Sequence, residues 1–221
     1  MANPLRLYHL GLSPNGKRAR LALGLKGLEH ELVNVDPHKR DPVIEASGQP
    51  LTPVLLHGEA AVFDSWAIVR YLDANFRTEP RLFAADRETM KGIEAWESFA
   101  RTRLGPPLGA MFGQVITGET DEAALKDAAR AYGEALEELE RALGERGDGF
   151  LLGPSPTAAD VGCAALLNVA WLTPGAVEAF PIIEVFHRHL AEAPGSPTLR
   201  RWYARLDAAD RFRLPQNLPA E

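Results

Sequence analysis

Two predicted helices begin at side chains that could hold a negatively charged group. Ser13 follows the apolar residues of a predicted strand, and Asp64 and Ser65 precede an apolar-periodic segment at 66–75. The amide groups in the first turn of a helix point outwards, so they can hold an anion. Capping is the simpler explanation for Ser13 taken alone, and for Asp64 and Ser65 taken alone. The two roles are compatible, because a hydroxyl that caps a free helix can also donate a hydrogen bond to a bound anion.

A proline stands at the start of a third predicted element. Thr52 and Pro53 directly precede the apolar residues 54–56. A proline has no amide donor, so it belongs at the first position of a strand or on an edge strand. Only about 5–6% of bonds before proline are cis in folded proteins, so the residue pair alone does not fix the isomer.

The other chemically capable side chains have structural explanations. The single Cys163 lies in an apolar run and is expected to be a small core residue. With one cysteine the chain forms no internal disulfide and no thiolate zinc cluster. His187 and His189 are two positions apart on a predicted helix and face different directions, so we expect no metal site. Any thiol chemistry therefore requires sulfur that arrives with a ligand.

Composition excludes several classes of protein. The 221 residues include 24 Lys and Arg against 30 Asp and Glu, a net charge of −6. Without a basic patch, neither nucleic acid nor an anionic membrane surface is expected as a partner. The apolar runs are shorter than the roughly 20 residues of a membrane span, and we expect a cytoplasmic protein. The first eighty residues hold nine basic and nine acidic side chains, so the negative charge lies in the remainder. This asymmetry indicates two domains.

The periodicity of the chain predicts an α/β part followed by an all-helical part. In the first part, alternation and caps predict the order β-α-β-(α)-β-β-α. Its elements are a strand at 5–10, a helix at 14–26, a strand at 31–35, a short helical turn at 43–47, a hairpin at 54–63 and a helix at 66–75. The residues at 79–85 are expected to be a connection.

Beyond Asp86 we expect helices only. One begins near Asp86 and is kinked or ended near Pro106 and Pro107. The next is a long amphipathic helix, predicted by apolar residues spaced three and four apart: Leu125, Ala129, Tyr132, Leu136, Leu139 and Leu143. A capping box at 157–160 predicts a helix start, and the apolar run at 161–172 that follows it predicts that this helix is buried. Two further helices are expected at 177–193 and 196–209.

Taken in order, four segments resemble a cytosolic glutathione S-transferase across nearly the whole chain. The similar segments are LYHLGLSPNGKRARLALGLKG, QPLTPVLL, VFDSWAIVRYLDANF and FLLGPSPTAADVGCAAL. The resemblance is to serine-type bacterial members, including β-etherase-like and disulfide-reductase-like branches. It implies an N-terminal thioredoxin-like domain at 1–78, which binds glutathione, and an all-α domain at 86–221, which contributes a hydrophobic pocket.

The resemblance also implies which residues carry the chemistry. Ser13 corresponds to the hydroxyl that donates a hydrogen bond to the glutathione sulfur, and Asn15 is a second candidate for this role. Tyr8 is the alternative donor, but Ser13 fits the loop position better. Because position 13 is not cysteine, mixed-disulfide chemistry is disfavoured.

The remaining expected contacts hold the glutathione backbone and the second substrate. Pro53 corresponds to a cis-proline, and the backbone of Thr52 pairs with the cysteinyl part. Asp64 and Ser65 bind the γ-glutamyl end. Weaker candidates are Lys39 and Gln49 for the glycyl carboxylate, and Phe99, Arg103, Met111 and Phe112 for the pocket. Thr52 replaces a more usual apolar residue and the loop before Pro53 is one residue longer than is common, which leaves the backbone register open.

We therefore expect a glutathione transferase in which the activated thiolate attacks a hydrophobic electrophile. Glutathione is the co-substrate, no metal is required, and the family resemblance implies detoxification and a homodimer. One alternative in the same site is glutathione-dependent disulfide reduction or ether cleavage. Another is a non-catalytic binding or scaffold protein that has kept the fold.

Overall fold

The first part of the chain folds around a four-stranded sheet. The computed structural model describes residues 4–171, 183–190, 193 and 195–212. The strands lie in the order β2-β1-β3-β4. The elements of this part are β1 (Leu5–His9), α1 (Pro14–Leu25), β2 (His30–Asn34), α2 (Asp41–Ser47), β3 (Val54–His57), β4 (Ala60–Phe63) and α3 (Ser65–Asn75). The predicted element order is confirmed, with β2 beginning and ending one residue earlier than expected.

The sheet is mixed, as its connections require. β1 and β2 are parallel and joined through α1, whereas β3 is antiparallel to both β1 and β4. A parallel pair needs a long crossover, and an antiparallel pair can be joined by a tight turn. Gly58 has φ 62° between β3 and β4, a value that favours glycine.

The two faces of the sheet carry separate apolar clusters. Leu7 and Leu55 belong to the main core with α1 and α3. Tyr8 and Val54 belong to a smaller cluster with Val43 of α2. Successive side chains of a strand point to opposite faces, so neighbouring residues of β1 and of β3 separate in this way.

The second part of the described chain is helical. It consists of α4 (Arg87–Phe99), a π-helical segment (Ala100–Leu104), α5 (Gly105–Thr117), α6 (Glu122–Gly144), α7 (Ala158–Leu167), α8 (Glu184–Leu190) and α9 (Pro197–Asp207). The predicted stripe of α6 is buried from Leu125 to Leu143, except that Ala128 is more deeply buried than Ala129. None of the described helices is long and apolar enough to cross a membrane.

The helix expected from Asp86 ends before the prolines near position 106, and a kink at these prolines stays a prediction. Pro106 and Pro107 do not end the first helix of this part. α4 ends at Phe99, and the prolines lie in the first turn of α5. Proline is tolerated there because the amide groups of a first turn have no partner within the helix. Of the two last predicted helices, α8 and α9 are observed, and residues 177–182 and 191–192 lie outside the described residues.

Asp73 holds the connection between the two parts. Its carboxylate accepts hydrogen bonds from the backbone amides of Leu82 at 2.9 Å and Phe83 at 3.2 Å. Lys26 and Arg81 donate to the same group at 2.7 and 3.0 Å. Burial disfavours the carboxylate, but the bonds from Arg81 and Lys26 outweigh it and lower the pKa of Asp73. Residues 79–85 are thus a fixed connection without helix or strand.

Helix α7 packs against both parts. All ten of its residues are buried, and it contacts α1 and α4. The predicted capping box is confirmed, because Thr157 and Asp160 bond each other's backbone amides at the start of the helix. Gly162 lies against Trp66 of α3, so α7 approaches the sheet-containing part closely.

Candidate active site

Strand register brings three loop segments to one edge of the sheet. Val54 is opposite Tyr8 on one side and opposite Phe63 on the other. The chain enters β3 through Pro53 at the same edge where β1 and β4 end. The loop to Ser13 leaves β1 there, and Asp64 leaves β4 there. The predicted Ser13, Thr52, Pro53, Asp64 and Ser65 therefore belong to one edge of the sheet.

Ser13 caps the first helix. Its backbone is extended, with φ −65° and ψ 126°, and its Oγ accepts a hydrogen bond from the Gly16 amide at 3.5 Å. A hydroxyl that accepts in this way keeps its own proton for donation. The first turn of α1 contains no acidic residue, so the positive end of the helix dipole is not cancelled locally.

Three side chains hold the loop that presents Ser13. Asn34 Oδ1 accepts from the Gly11 amide at 3.1 Å, and Arg20 Nη2 donates to the Gly11 carbonyl at 3.2 Å. Asn168 Nδ2, at the end of α7, donates to the Leu12 carbonyl at 3.3 Å. These positioning residues could not be predicted from the sequence, because no local pattern connects positions so far apart in the chain.

The loop that enters β3 is fixed by its own side chains. The Thr52–Pro53 bond is cis, as the resemblance implies. The Gln49 amide accepts from the Leu51 backbone N–H at 2.7 Å and donates to the Leu51 carbonyl at 2.9 Å. Gln49 is half-buried and Lys39 is exposed. Their contact with a glycyl carboxylate stays a prediction.

Asp64 caps helix α3 from an unusual backbone conformation. Its φ of 70° is the only positive φ of a non-glycine residue in the described part of the chain. Such a conformation costs on the order of 1–3 kcal/mol, and it is typical of functional sites. Oδ1 of Asp64 accepts from the amides of Trp66 at 2.9 Å and Ala67 at 3.2 Å. The side chain is exposed, so a ligand can reach the carboxylate.

Ser65 joins the starts of α1 and α3. Its Oγ accepts a hydrogen bond from Arg18 Nη1 at 2.7 Å and lies 3.4 Å from Asn15 Oδ1. Arg18 Nη1 also donates to Asn15 Oδ1 at 2.8 Å. Asn15 is thus connected to Ser65 through its amide oxygen. The contact of Arg18 with this site was not predicted from the sequence, since a basic residue in a helix is ordinarily exposed to solvent.

The predicted pocket residues do not share one environment. Met111 is fully buried among the core residues of the helical part, and its contribution to the pocket stays a prediction. Arg103 is exposed and lies 3.5 Å from Glu138 of α6. Phe99 is nearly buried, whereas Phe112 is half-buried. A cavity of about 360 Å³ elsewhere in the helical part is lined by Leu143, Gly147, Asp148, Gly149, Thr198, Arg201, Trp202, Ala204 and Arg205. It contains none of the predicted site residues.

The side chains that the sequence did not favour for the site have structural surroundings. Tyr8 packs on the α2 face of the sheet. Cys163 is fully buried, and burial raises the pKa of its thiol. Across the described residues, no group of three or more His, Cys, Asp or Glu side chains could hold a metal ion.

A mixed four-stranded sheet with a cis-proline strand, followed by an all-helical part, is the glutathione transferase fold. Residues 7–80 match the family model described as glutathione S-transferase, N-terminal domain, and residues 122–205 match the corresponding C-terminal domain.

Individual proteins give the same result. Glutathione S-transferase F10 of Arabidopsis thaliana is 31% identical over 68% of this chain and 74% of its own length. Glutathione S-transferase 3 of Zea mays is 27% identical over 86% of this chain and 90% of its own length. The solved structure of a Tau class enzyme from mango, Mangifera indica, superimposes with a TM-score of 0.70 at 21% identity, over 93% of this chain and 89% of that one. This chain belongs to the glutathione S-transferase family.

Proposed function

We propose that this protein is a glutathione transferase in which Ser13 stabilises the glutathione thiolate for attack on a hydrophobic electrophile. The observation that carries the proposal is the strand register, which places Ser13, Pro53 and Asp64 at one edge of the sheet. Membership of the family supports the same activity.

The proposed activation of sulfur is electrostatic. An ordinary thiol has a pKa near 8.5, so at neutral pH only a few per cent is thiolate. The Ser13 hydroxyl accepts a hydrogen bond from the Gly16 amide and donates a hydrogen bond to the glutathione sulfur. The start of α1 also favours negative charge on that sulfur. The thiol proton leaves to solvent. The thiolate then forms a carbon–sulfur bond as the leaving group departs with its electron pair.

The proposed binding of glutathione uses the rest of the edge. The backbone of Thr52 pairs with the cysteinyl part of glutathione as an added strand would. The Asp64 carboxylate binds the γ-glutamyl ammonium, and Ser65 with the first amides of α3 binds the γ-glutamyl carboxylate. Lys39 and Gln49 contact the glycyl carboxylate.

We also propose the domain bounds, the pocket residues, the oligomeric state and the cellular location. Residues 1–78 form the glutathione domain, and residues 86–221 contribute the pocket for the electrophile, with Phe99, Arg103, Met111 and Phe112 as its candidates. The protein is a serine-type member, acts as a homodimer and is cytoplasmic. Its physiological role is detoxification.

Calorimetric titration with glutathione tests the proposal. We expect saturable binding by the wild type and strong loss of binding in Asp64→Ala. Ser13→Ala should bind glutathione but raise the pKa of the bound thiol, which the ultraviolet absorbance of the thiolate reports. No binding at millimolar glutathione would contradict the proposal and leave a protein that only shares the fold.

The product identifies the reaction. With an aryl halide as electrophile, a transferase yields the thioether and halide ion. Accumulation of oxidised glutathione with a disulfide or aryl ether substrate, and no thioether with the aryl halide, would instead establish reductive chemistry in the same site. The Ser13→Ala variant serves as the control, because a reaction that uses this site must slow in it.

A further inference from the structure

The glycine in the turn before Ser13 makes room for an aromatic ring from the segment after α9. The turn closes from Leu10 to Ser13, because the Ser13 amide donates to the Leu10 carbonyl at 3.1 Å. A Cβ at Gly11 would lie 2.6 Å from Cζ and 2.8 Å from Cε1 of Phe212. Gly11 is not among the described glycines with a positive φ, so its backbone conformation does not itself require glycine. The Phe212 ring is therefore the reason that this position carries no side chain.

The Phe212 ring is itself fixed by buried neighbours. Arg20 Cζ lies 4.7 Å from the ring centroid, and the His9 ring meets Phe212 edge-on at a centroid distance of 5.0 Å. Both are favourable contacts of an aromatic ring. The Phe212 amide donates to Asp210 Oδ1 at 2.9 Å, and Asp210 is paired with Arg20. The segment after α9 therefore presents this ring to the turn in a defined position.

The backbone of Gly11 is held at the same point from its other sides. Arg20 Nη2 donates to the Gly11 carbonyl at 3.2 Å, and Asn34 Oδ1 accepts from the Gly11 amide at 3.1 Å. The ring of Phe212 closes the side where a Cβ would be. Ser13 follows two residues later in a turn that is closed by a hydrogen bond, so a displacement of Gly11 is passed on to Ser13.

We infer that Phe212 is a positioning residue for Ser13. It acts through Gly11 and makes the segment after α9 part of the machinery that stabilises the glutathione thiolate. Without the ring, Gly11 gains space beside a flexible backbone, and the Ser13 hydroxyl loses the fixed geometry that a hydrogen-bond donor to sulfur needs. The inference rests on the proposed function of Ser13.

The pKa of the bound glutathione thiol tests the inference, measured from the ultraviolet absorbance of the thiolate during a pH titration at saturating glutathione. We expect Phe212→Ala to raise this pKa by about 0.5–1, which leaves roughly three- to tenfold less thiolate at a pH below it. The kcat/KM for an aryl halide should fall with the thiolate fraction. At a pH where the thiol is protonated, the calorimetric Kd of glutathione should change by less than about twofold, because the groups that bind its backbone are unchanged. A merely structural role would lower stability and leave the thiol pKa at its wild-type value, and that result overturns the inference.

Two further variants protect the test. Phe212→Leu keeps an apolar side chain but not the planar contacts with His9 and Arg20, so a smaller rise of the thiol pKa is expected even if Phe212→Ala folds poorly. Arg211→Ala is the matched control, because this neighbouring side chain pairs with Glu29 at the surface. Its thiol pKa should stay within about 0.2 of the wild-type value. Wild-type pKa values in both Phe212 variants, or an equal shift in Arg211→Ala, overturn the inference.

A steric cycle tests the contact between the ring and the turn. Gly11→Ala should also raise the thiol pKa, because its methyl group collides with Phe212, whereas the nearest atom of another residue, Asn34 Oδ1, would be at 3.6 Å. In the Phe212→Ala background the same substitution should add little, because the colliding ring is gone. Fully additive increases of the pKa overturn the inference.

A second cycle separates this inference from the proposed function. In a Ser13→Ala background, Phe212→Ala should no longer change the thiol pKa, because the donor that it positions is absent. A shift that persists there overturns the inference. If Ser13→Ala itself leaves the pKa of the bound thiol unchanged, the proposed function fails and the inference fails with it. A raised pKa in Ser13→Ala beside a wild-type pKa in Phe212→Ala overturns the inference alone.

Discussion

Arg20 and Asp210 form a buried ion pair across 190 positions of sequence. Arg20 Nε lies 3.1 and 3.0 Å from the two carboxylate oxygens of Asp210. Lys17 Nζ lies 2.8 Å from the same carboxylate, and all three side chains are at most 3% exposed. These ion pairs hold the segment after α9 against α1, the helix that Ser13 caps. Burial disfavours the charged carboxylate, but Arg20 and Lys17 outweigh it and lower the pKa of Asp210.

Asp210→Asn should destabilise the protein by about 3–5 kcal/mol, because it leaves buried cations short of an anion. Urea denaturation measures this. The carboxyl pKa is lower in the folded state than its unfolded value near 3.9, so the stabilisation is complete above that value and is lost as the pH falls below it. The difference between variant and wild type should therefore shrink at acid pH.

The matched control for this ion pair is Glu29→Gln. Glu29 forms a surface pair with Arg211, the residue next to Asp210, at 3.0 Å. Exposed pairs contribute little, so its unfolding midpoint should stay near that of the wild type. Equal midpoints for Asp210→Asn and Glu29→Gln would show that the buried pair contributes no more than the exposed one.

His9 should make stability depend on pH above the range of the carboxylates. The ring is fully buried, with Nδ1 3.0 Å from Arg20 Nη1. Burial and the charge of Arg20 lower the pKa of His9 to about 4. The unfolded chain, with a histidine pKa near 6.5, takes up a proton first as pH falls. Stability is complete above about pH 6.5 and declines towards pH 4, by about 2 kcal/mol between pH 7 and pH 5.

The variant that isolates this effect is His9→Asn. Its Oδ1 can accept from Arg20 where Nδ1 does, and it does not titrate. Urea midpoints measured at several pH values should then vary less between about pH 7 and pH 5 than in the wild type. His38→Asn, in an exposed loop, controls for the loss of one histidine. Parallel curves for wild type and His9→Asn would be incompatible with a neutral buried ring.

The sequence predicted what local patterns determine. Ser13, Asp64 and Thr157 were expected at helix starts and do cap α1, α3 and α7. Local patterns did not predict that the basic side chains of α1 are buried. Helix periodicity alone would assign Lys17, Arg18 and Arg20 to the solvent-exposed face, but all three are buried. The reason is long-range pairing, because Arg18 and Arg20 bond residues that are 47 and 190 positions away in the sequence. The π-helical segment after α4 likewise had no local signal, since periodicity does not distinguish it from an α-helix.

The capping box of α7 should matter more to stability than an ordinary cap. Asp160 Oδ1 accepts from the Leu151 amide and from Trp202 Nε1, both at 2.9 Å. Oδ2 accepts from the Thr157 amide at 2.9 Å. Asp160→Ala leaves these buried donors unsatisfied, so we expect a loss of about 3 kcal/mol or more in the free energy of unfolding.

Thermal and urea unfolding of Asp160→Ala should be compared with those of Asp86→Ala. Asp86 caps α4 in solvent, where water replaces the lost bond to the Thr89 amide. The exposed cap should therefore cost less than the buried one. If the two variants unfold together, the bonds from Leu151 and Trp202 add nothing to ordinary capping.

Gly162 permits the contact between α7 and α3. A Cβ at this position would lie 2.3 Å from Cη2 of Trp66 and 2.9 Å from its Cζ3. The ring is 5% exposed and lies against the Arg18 guanidinium, so it cannot move away without disturbing Arg18. Gly162→Ala should lower stability by about 1–3 kcal/mol despite the higher helix propensity of alanine. It should also weaken glutathione binding, because Arg18 contacts Ser65.

Gly113→Ala is the control for this steric argument. Gly113 also lies within a helix, but a Cβ there would have nothing within 4 Å, so alanine should stabilise the protein by up to about 1 kcal/mol. Adding Trp66→Leu to Gly162→Ala should recover part of the lost stability, because the smaller side chain makes room for the methyl group. Urea unfolding of the two single variants and of the double variant measures the coupling between the two positions. A Gly162→Ala protein as stable as Gly113→Ala would mean that the indole moves at no cost, and Trp66 would then not be the fixed support of Arg18.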